Sequence, residues 1–488
     1  MNVEGKLCNL NWFRSMTGIV VLFFWGCAHI EPDLSPKRVD DILNSTPISV
    51  DLTLSSSELS SQLKSVRALI EKGQFDAVAI DKIDQLYYLY QVAQRISKKG
   101  SIRLPPFSRV KVKFPSFCLD PSKAAPSENE QFRWTTEKVA IPYYDKLIRI
   151  TPSEYGANWE DLQELIWSLG NGSKYEDYPL HLAGILDRLD PNAKFNLPSR
   201  AKDSISGEVG AIISEKVSEV EAIESLVSLV EGKYYSYSEF AAFIQKKAKT
   251  TNSTALRLTT LADEPGVSTS VQSSSYSDQV VVFYNSTGNA ANIDVSDYHL
   301  APIDSSIQRI GLSIDVSLGN KIVSVIEAAL KESIIRNSAY WYAGRLTPLE
   351  IEFIKGHPVD ALNAYAQSHK AIASTWKYFG RNADRDESDA FRHFLWAGLL
   401  FQHLDESLTT DYLAAHEQIL PSASAVDRAS SEMDRYNNAA GLQVAKELAK
   451  RNELSLKNLE KSAYEALQLD RLRVINPKGK TSSYMGQP

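Results

Sequence analysis

Apolar residues recur every third or fourth position through the last third of the chain, and within that helical period, between Asp389 and Gly441, lie three polar groups. They are Asp389-Ala-Phe-Arg392-His393, Ala415-His416-Glu417 and Met433-Asp434-Arg-Tyr-Asn437-Asn438. Such a period commits this region to packed helices. Polar groups carried on packed faces must then satisfy one another or a ligand, because burying them unpaired is costly.

The region from about 313 to 475 reads as an all-α domain. Lys321 to Ile335 is amphipathic, Pro348 to Lys355 follows a Thr347 cap, Val359 to Phe379 follows the Pro358 break, and Ser388 to Leu404 carries the first polar group. Antiparallel packing of five to seven helices is expected. In the helix from Ser388, positions 389, 393, 396 and 400 share a face, so Asp389 can accept a hydrogen bond from His393, and Arg392 beside it can hold an anion. In the helix from Thr409, Leu413, His416 and Leu420 form the apolar side with Glu417 at its margin. A second zincin histidine is missing, since position 420 is Leu. In the helix from Ala425 to Arg451, the expected buried face is Val426, Ala429, Met433, Tyr436, Ala440 and Val444, with Asp434, Asn437 and Gly441 on an adjacent line. Two readings of these groups stay open. One is a reactive site, with His393, His416 and Asp434 as ligands of a divalent metal, or Glu417, His393 and Asp434 as acid/base groups, and Arg392, Asn437 and Asn438 holding substrate. The other is a polar network that ties helices together.

With 488 residues the chain is long enough for several domains. The fold class expected is α+β multidomain, an all-α C-terminal domain preceded by helical segments and a small mixed β-containing domain. A net charge of -7 and the lack of a Lys/Arg stripe with interleaved aromatics argue against a nucleic-acid partner. At the N-terminus, Lys6 and Arg14 precede an apolar run from Gly18 to Gly26 that is far shorter than the ~20 residues a membrane helix needs. Residues 1–26 therefore read as a signal peptide, 27–53 as a polar tether and 54–100 as a helical hairpin. A mixed α/β module is expected over 101–200, with strands at Arg109 to Phe114, Phe117 to Leu119, Val139 to Ile141 and Leu147 to Ile150 and a helix after Asn158. A helical connector (201–250) follows. Next comes a Ser/Thr-rich β-hairpin module (251–312) turning at Ser286 to Asn289, and the chain ends in a disordered tail (476–488).

Three resemblances add to this reading. Gly26-Cys27-Ala28 resembles the lipobox of bacterial lipoproteins, which implies lipidation of Cys27, a membrane anchor and an envelope or extracellular substrate; Phe24 and Trp25 depart from the usual pattern. Phe117-Cys118-Leu119-Asp120 together with Gln163-Glu-Leu-Ile-Trp167 resembles the paired motifs of bacterial thioester domains, in which the thiol and carboxamide condense to a reactive thioester used by adhesins. Leu162 stands where that family usually has Thr. Finally, the three C-terminal polar groups, with Leu349-Glu350-Ile351 and His357-Pro358 upstream, are similar to a bacterial domain family of unknown function found in exported and toxin-like proteins. That resemblance implies a helical fold and a shared polar site without a known reaction.

Overall fold

The computed structural model describes residues 48–73, 75–120, 123, 131–149, 157–197, 257–258, 266–274, 278–294, 298–341 and 346–475. The expected signal segment, Cys27, most of the tether, the connector 201–250 and the tail lie outside these residues. The fold is α+β, with helices packed around a mixed sheet and a helical C-terminal region.

Residues 48–51 of the sequence-assigned tether form a strand, β1 (Ile48–Asp51), because Val50 is buried in the core. Helix α1 (Ser56–Lys72) starts with a Ser55/Glu58 capping box and stops at Gly73 in the left-handed conformation. Helix α2 (Ala77–Lys99) is capped by Asp76 and ended by Gly100 in the same way. Strands β2 (Ile102–Leu104), β3 (Ser108–Cys118) and β4 (Gln131–Thr135) follow. The residues read as strands at 139–141 and, as far as they are described, at 147–149 are not strands: Leu147 closes the helical turn α3 (Tyr144–Leu147) and is buried with Val139 and Ile141 in a small second core, while Ile150 lies outside the described residues. Its walls are α4 (Trp159–Gly170), α5 (Leu180–Leu189) and the turn α6 (Ala193–Asn196).

Strands β5 (Arg257–Leu258), β6 (Val267–Ser274), β7 (Asp278–Asn285), β8 (Ala291–Ile293), β9 (His299–Pro302) and β10 (Ile310–Leu312) complete the β structure. The eight-stranded sheet runs β5-β4-β9-β10-β3-β7-β6, with β1 pairing β3 in parallel. The hairpin expected across Ser286 to Asn289 does not form. β7 pairs with β3 and with β6 from the Ser/Thr-rich stretch, while β8 pairs with β2. Long-range pairing wins because it buries Val281 and Phe283 against Val110, Val112 and Phe114 in one core. Curling of the sheet brings Trp134 of β4 to Thr269 of β6, with Nε1 donating to Oγ1 at 2.9 Å.

The C-terminal helices are α7 (Val316–Trp341), α8 (Pro348–Gly356), α9 (Pro358–Phe379), α10 (Glu387–His403), α11 (Glu406–His416), α12 (Ala425–Lys450) and α13 (Leu456–Gln468). Helix α10 is the axis of this body, buried at every residue from Glu387 to Leu400. Its neighbours come close through small residues: a Cβ on Gly441 of α12 would lie 2.0 Å from the Phe394 carbonyl oxygen, and one on Gly398 would lie 2.6 Å from Leu459 of α13. The α1/α2 hairpin joins the same core, with α2 packed on α7 and α9.

Candidate functional site

The site is built on α10. Asp386 caps the helix by accepting from the amides of Ser388 and Asp389, and Arg381 pairs with Asp386 and Glu387 at 2.9 and 3.3 Å. Just before the cap, Arg385 adopts a left-handed backbone (φ 68°), which aims its amide at Asp389 Oδ2, 2.5 Å away. On the first turns, Asp389 Oδ1 accepts from Arg392 Nη2 at 2.5 Å, and Arg392 Nη1 donates to Asn382 Oδ1 at 2.6 Å. One turn further, His393 Nε2 lies 3.3 Å from Asp389 Oδ1 and 3.6 Å from Asp434 Oδ1 of α12. Its Nδ1 lies 3.5 Å from Glu417 Oε1, in the turn that ends α11, and Asn438 Nδ2 donates to that same oxygen at 3.3 Å. One histidine is thus ringed by three carboxylates, all four side chains no more than 7% exposed.

The helix faces differ from the expectation in two respects. On α12 the line Met433, Asp434, Asn437, Asn438, Gly441 and Ala445 is buried, whereas Val426 and Tyr436 are 51% and 41% exposed. Contact between Gly441 and α10 turns that line inward, because the helix rotates to bring its smallest residue to the closest approach. Glu417, placed by sequence at a margin, is also buried. The structure gives Asn437 a different task from substrate holding: its Nδ2 donates to Arg473 O and its Oδ1 accepts from Arg473 N, which straps the C-terminal segment to α12. Likewise Arg392 is engaged by Asp389 and Asn382. Asn438 remains in the cluster. Its Oδ1, His393 Nδ1, Asp434 Oδ1 and Asn382 Nδ2 are buried without hydrogen-bond partners among the described residues. Unsatisfied polar atoms at this density mark a place where a water or ligand completes the network.

Protonation in the cluster follows from its charges. Burial works against an imidazolium at His393, but Asp434, Asp389 and Glu417 outweigh it and push the ring up to about 9. Burial raises Asp434 against the pull of His393, so this carboxyl holds a proton far above the usual carboxylate range. Burial would also raise Asp389, yet Arg392 and His393 keep it ionised well below that range. A sign check gives a pH dependence. The raised His393 stabilises the fold below its unfolded value near 6.5 and loses that contribution as pH rises through about 9; the raised Asp434 also makes the fold lose stability with rising pH. Urea unfolding followed by tryptophan fluorescence is expected to show a loss of roughly 3 kcal/mol between neutral pH and pH 10, and His393→Gln should flatten that slope. An equally steep slope in the variant would contradict the assignment.

Ligand atoms of Asp389, His393 and Asp434 lie within 4.8 Å of one another, whereas His416 is not in that group. The set fits a divalent cation poorly. Both Asp389 oxygens already accept hydrogen bonds, and the Arg392 guanidinium sits 3.4 Å from His393 Nε2, where it supplies the positive charge a cation would bring.

His416 pairs instead with Glu350 of α8, Nδ1 to Oε1 at 2.6 Å. In the sequence Glu350 stands within Leu349-Glu350-Ile351, upstream of the three polar groups; its signal was the Thr347-x-x-Glu350 capping box, which takes one carboxylate oxygen and leaves the other for His416.

Cys118 and Gln163 also meet. Gln163, fully buried on α4, accepts from Cys118 N and donates to Cys118 O, both at 2.9 Å. On its other edge β3 bonds β10 through Leu119 N to Arg309 O and Ser313 N to Pro115 O, while β7 stops at Asp278 opposite Pro115. The Gln163 carboxamide therefore stands where the next strand's peptide would be. Burial pushes the Cys118 thiol up to about 12.

Among the described residues no helix is long and apolar enough to cross a membrane. No curated protein and no solved structure matches the chain. Residues 351–467, which run from within α8 almost to the end of α13 and include Asp389, His393, Glu417 and Asp434, match the model of a family described as a domain of unknown function, DUF6973.

Proposed function

We propose that this is an exported, lipid-anchored envelope protein whose C-terminal helical domain hydrolyses an envelope or extracellular substrate by acid/base chemistry. The convergence of Asp389, Asp434 and Glu417 on His393, with buried polar atoms of His393, Asp434 and Asn438 lacking hydrogen-bond partners among the described residues, carries this reading. Asp389, pinned by Arg392 and the Arg385 amide, holds His393 in its protonated form, and the proton it shares with Asp434 is available to a leaving group. Asn438 orients Glu417. Anchoring rests on the Gly26-Cys27 motif.

Full-length protein incubated with peptidoglycan fragments or phospholipid vesicles is expected to release hydrolysis products, and His393→Gln to slow release roughly 100- to 10,000-fold. Dialysis against a chelator should leave the wild-type rate unchanged. Loss of activity on chelation and its return with zinc would replace this mechanism by a metal-assisted one, and an unaffected His393→Gln variant would move the reaction elsewhere.

A second reading, a surface adhesin with an internal thioester, is favoured by the placement of the Gln163 carboxamide beside Cys118, whose backbone N and O it bonds. In that reaction Sγ attacks the carboxamide carbon, the S–C bond forms, the C–N bond breaks, and the thiol proton leaves with ammonia. Intact mass of native protein should then fall short of the sequence mass by one ammonia. A full mass, with Cys118 alkylated once the chain is unfolded, leaves Gln163 as the cap of β3.

A further inference from the structure

We propose that His416, aligned by Glu350, is the proton acceptor that meets the nucleophile, while the deeper His393 and Asp434 return a proton to the leaving group. The proposal rests on the hydrolase reading and assigns its two proton-transfer roles.

Two hydrogen bonds fix the start of α8 against the end of α11, and a third, within the α8 cap, holds Glu350. Thr347 Oγ1 donates to Ala415 O at 2.7 Å, Leu349 N donates to Gln418 Oε1 at 3.1 Å, and Thr347 N donates to Glu350 Oε2 at 2.8 Å. Capping occupies Oε2 alone. The other oxygen of this carboxylate, itself 2% exposed, meets His416 Nδ1. A buried carboxylate at that distance keeps the ring proton on Nδ1 and leaves the lone pair on Nε2, the tautomer a general base requires.

Access distinguishes the two histidines. The side chain of His416 is 19% exposed and that of His393 6%, and Nε2 of His416 has no hydrogen-bond partner among the described residues. Trp396 packs against His416 in a T-shaped pair, its ring centroid 4.8 Å away at 82°, which restrains the plane of the imidazole. The His393 centroid is 6.3 Å away, and Glu417 acts on both rings. A water or hydroxyl on the solvent side of His416 would pass its proton to Nε2 as its oxygen bonds the electrophilic centre. The bond to the leaving group then breaks, and that group takes the proton shared by His393 and Asp434. Transfer of one proton from His416 to that pair through solvent restores the starting state. The charged groups facing His416 are Glu350 on α8, Glu417 and His393; burial opposes its imidazolium, but the two carboxylates prevail and raise it.

The test is acylation of full-length protein with diethylpyrocarbonate, which reacts with unprotonated imidazole, read by peptide mapping across pH 5 to 9. His416 is expected to be modified with a midpoint above that of free histidine, and His393 to be protected. Glu350→Gln, which can still cap Thr347, should lower the His416 midpoint by about one unit. Wherever hydrolysis is measured, that variant should move the acidic limb of the kcat profile equally, with KM unchanged. An inert His416, an unmoved midpoint or an unmoved limb overturns the proposal. Should Glu350→Gln not fold, a wild-type midpoint at or below that of free histidine overturns it. A wild-type protein with the expected acylation profile but no hydrolysis removes the hydrolase reading and the role of His416 as base, and leaves the dyad geometry intact.

Discussion

Gly441→Ala is expected to destabilise the helical body by about 3 kcal/mol or more and to lower its Tm by roughly 10 °C. Propensity alone predicts the opposite sign, since alanine in a helix interior is favoured over glycine by about 1 kcal/mol. Contact decides. The added methyl would lie 2.0, 2.7 and 2.9 Å from the oxygen, carbonyl carbon and Cα of Phe394. These are backbone atoms of α10, so no rotamer change relieves the clash and the two helices must separate. Separation pulls Asp434 and Asn438 of α12 from His393, which lies one residue before Phe394. Hydrolysis and stability should therefore fall together in this variant. Gly356→Ala, where a Cβ would meet nothing within 4 Å, serves as the control and should be neutral or slightly stabilising in the same thermal scan. A Tm for Gly441→Ala equal to that of the control would refute the close approach.

This glycine shows what could be read from the sequence. Ala439-Ala440-Gly441 inside a helical period signals close helix approach, and the i, i+4 spacing of Asp389 and His393 puts their side chains together in any helix. Both features are local, so both were legible. Which face of α12 turns inward was not, because its apolar stripe through Val426 and Tyr436 competes with a polar line, and only the contact with Phe394 settles the rotation. The Glu350 to His416 contact joins residues 66 apart in sequence, and nothing short-range encodes it. The same limit explains the sheet. The period-two pattern of Arg109 to Phe114 identifies a strand, but its partners β7 and β10 come from beyond residue 270, and a turn signal at Ser286 to Asn289 favours the nearer pairing. The separate module expected over 251–312 therefore becomes part of the sheet that begins at β1.

Lys370→Met is expected to cost about 3 to 5 kcal/mol, because it leaves a buried carboxylate without its counter-charge. Lys370 Nζ donates to Asp84 Oδ2 at 2.6 Å, while Asn363 and Gln367 donate to Oδ1 at 2.9 and 2.7 Å. Asp84 is on α2 and its three donors are on α9, with Asp84 5% and Lys370 7% exposed. Two amides can solvate the remaining anion only in part. Asp84→Asn in the same chain removes the stranded charge, so the double variant should regain much of the loss, a coupling that urea titration of the four proteins would measure. Additive effects would mean that the pair contributes nothing of its own. The seam continues as Tyr87 Oη donates to Asp360 at 3.0 Å, Tyr88 Oη bonds His403 Nδ1 at 2.9 Å, and Gln91 donates to His403 O at 2.6 Å. Burial drives His403 down to about 4, so at neutral pH this ring is an uncharged partner for Tyr88. Every one of these groups on α9 and α10 would face water, or lie buried unpaired, without α2. The matched span 351–467 should therefore fold poorly when expressed alone and recover a cooperative transition when residues from α1 onward are restored. The helix that carries His393 at one end is held at its other end, through His403, by the N-terminal hairpin. Loosening the Asp84 seam should thus widen the spread of His393 environments before it unfolds the protein, visible as a weakened pH dependence of stability at denaturant concentrations below the main transition.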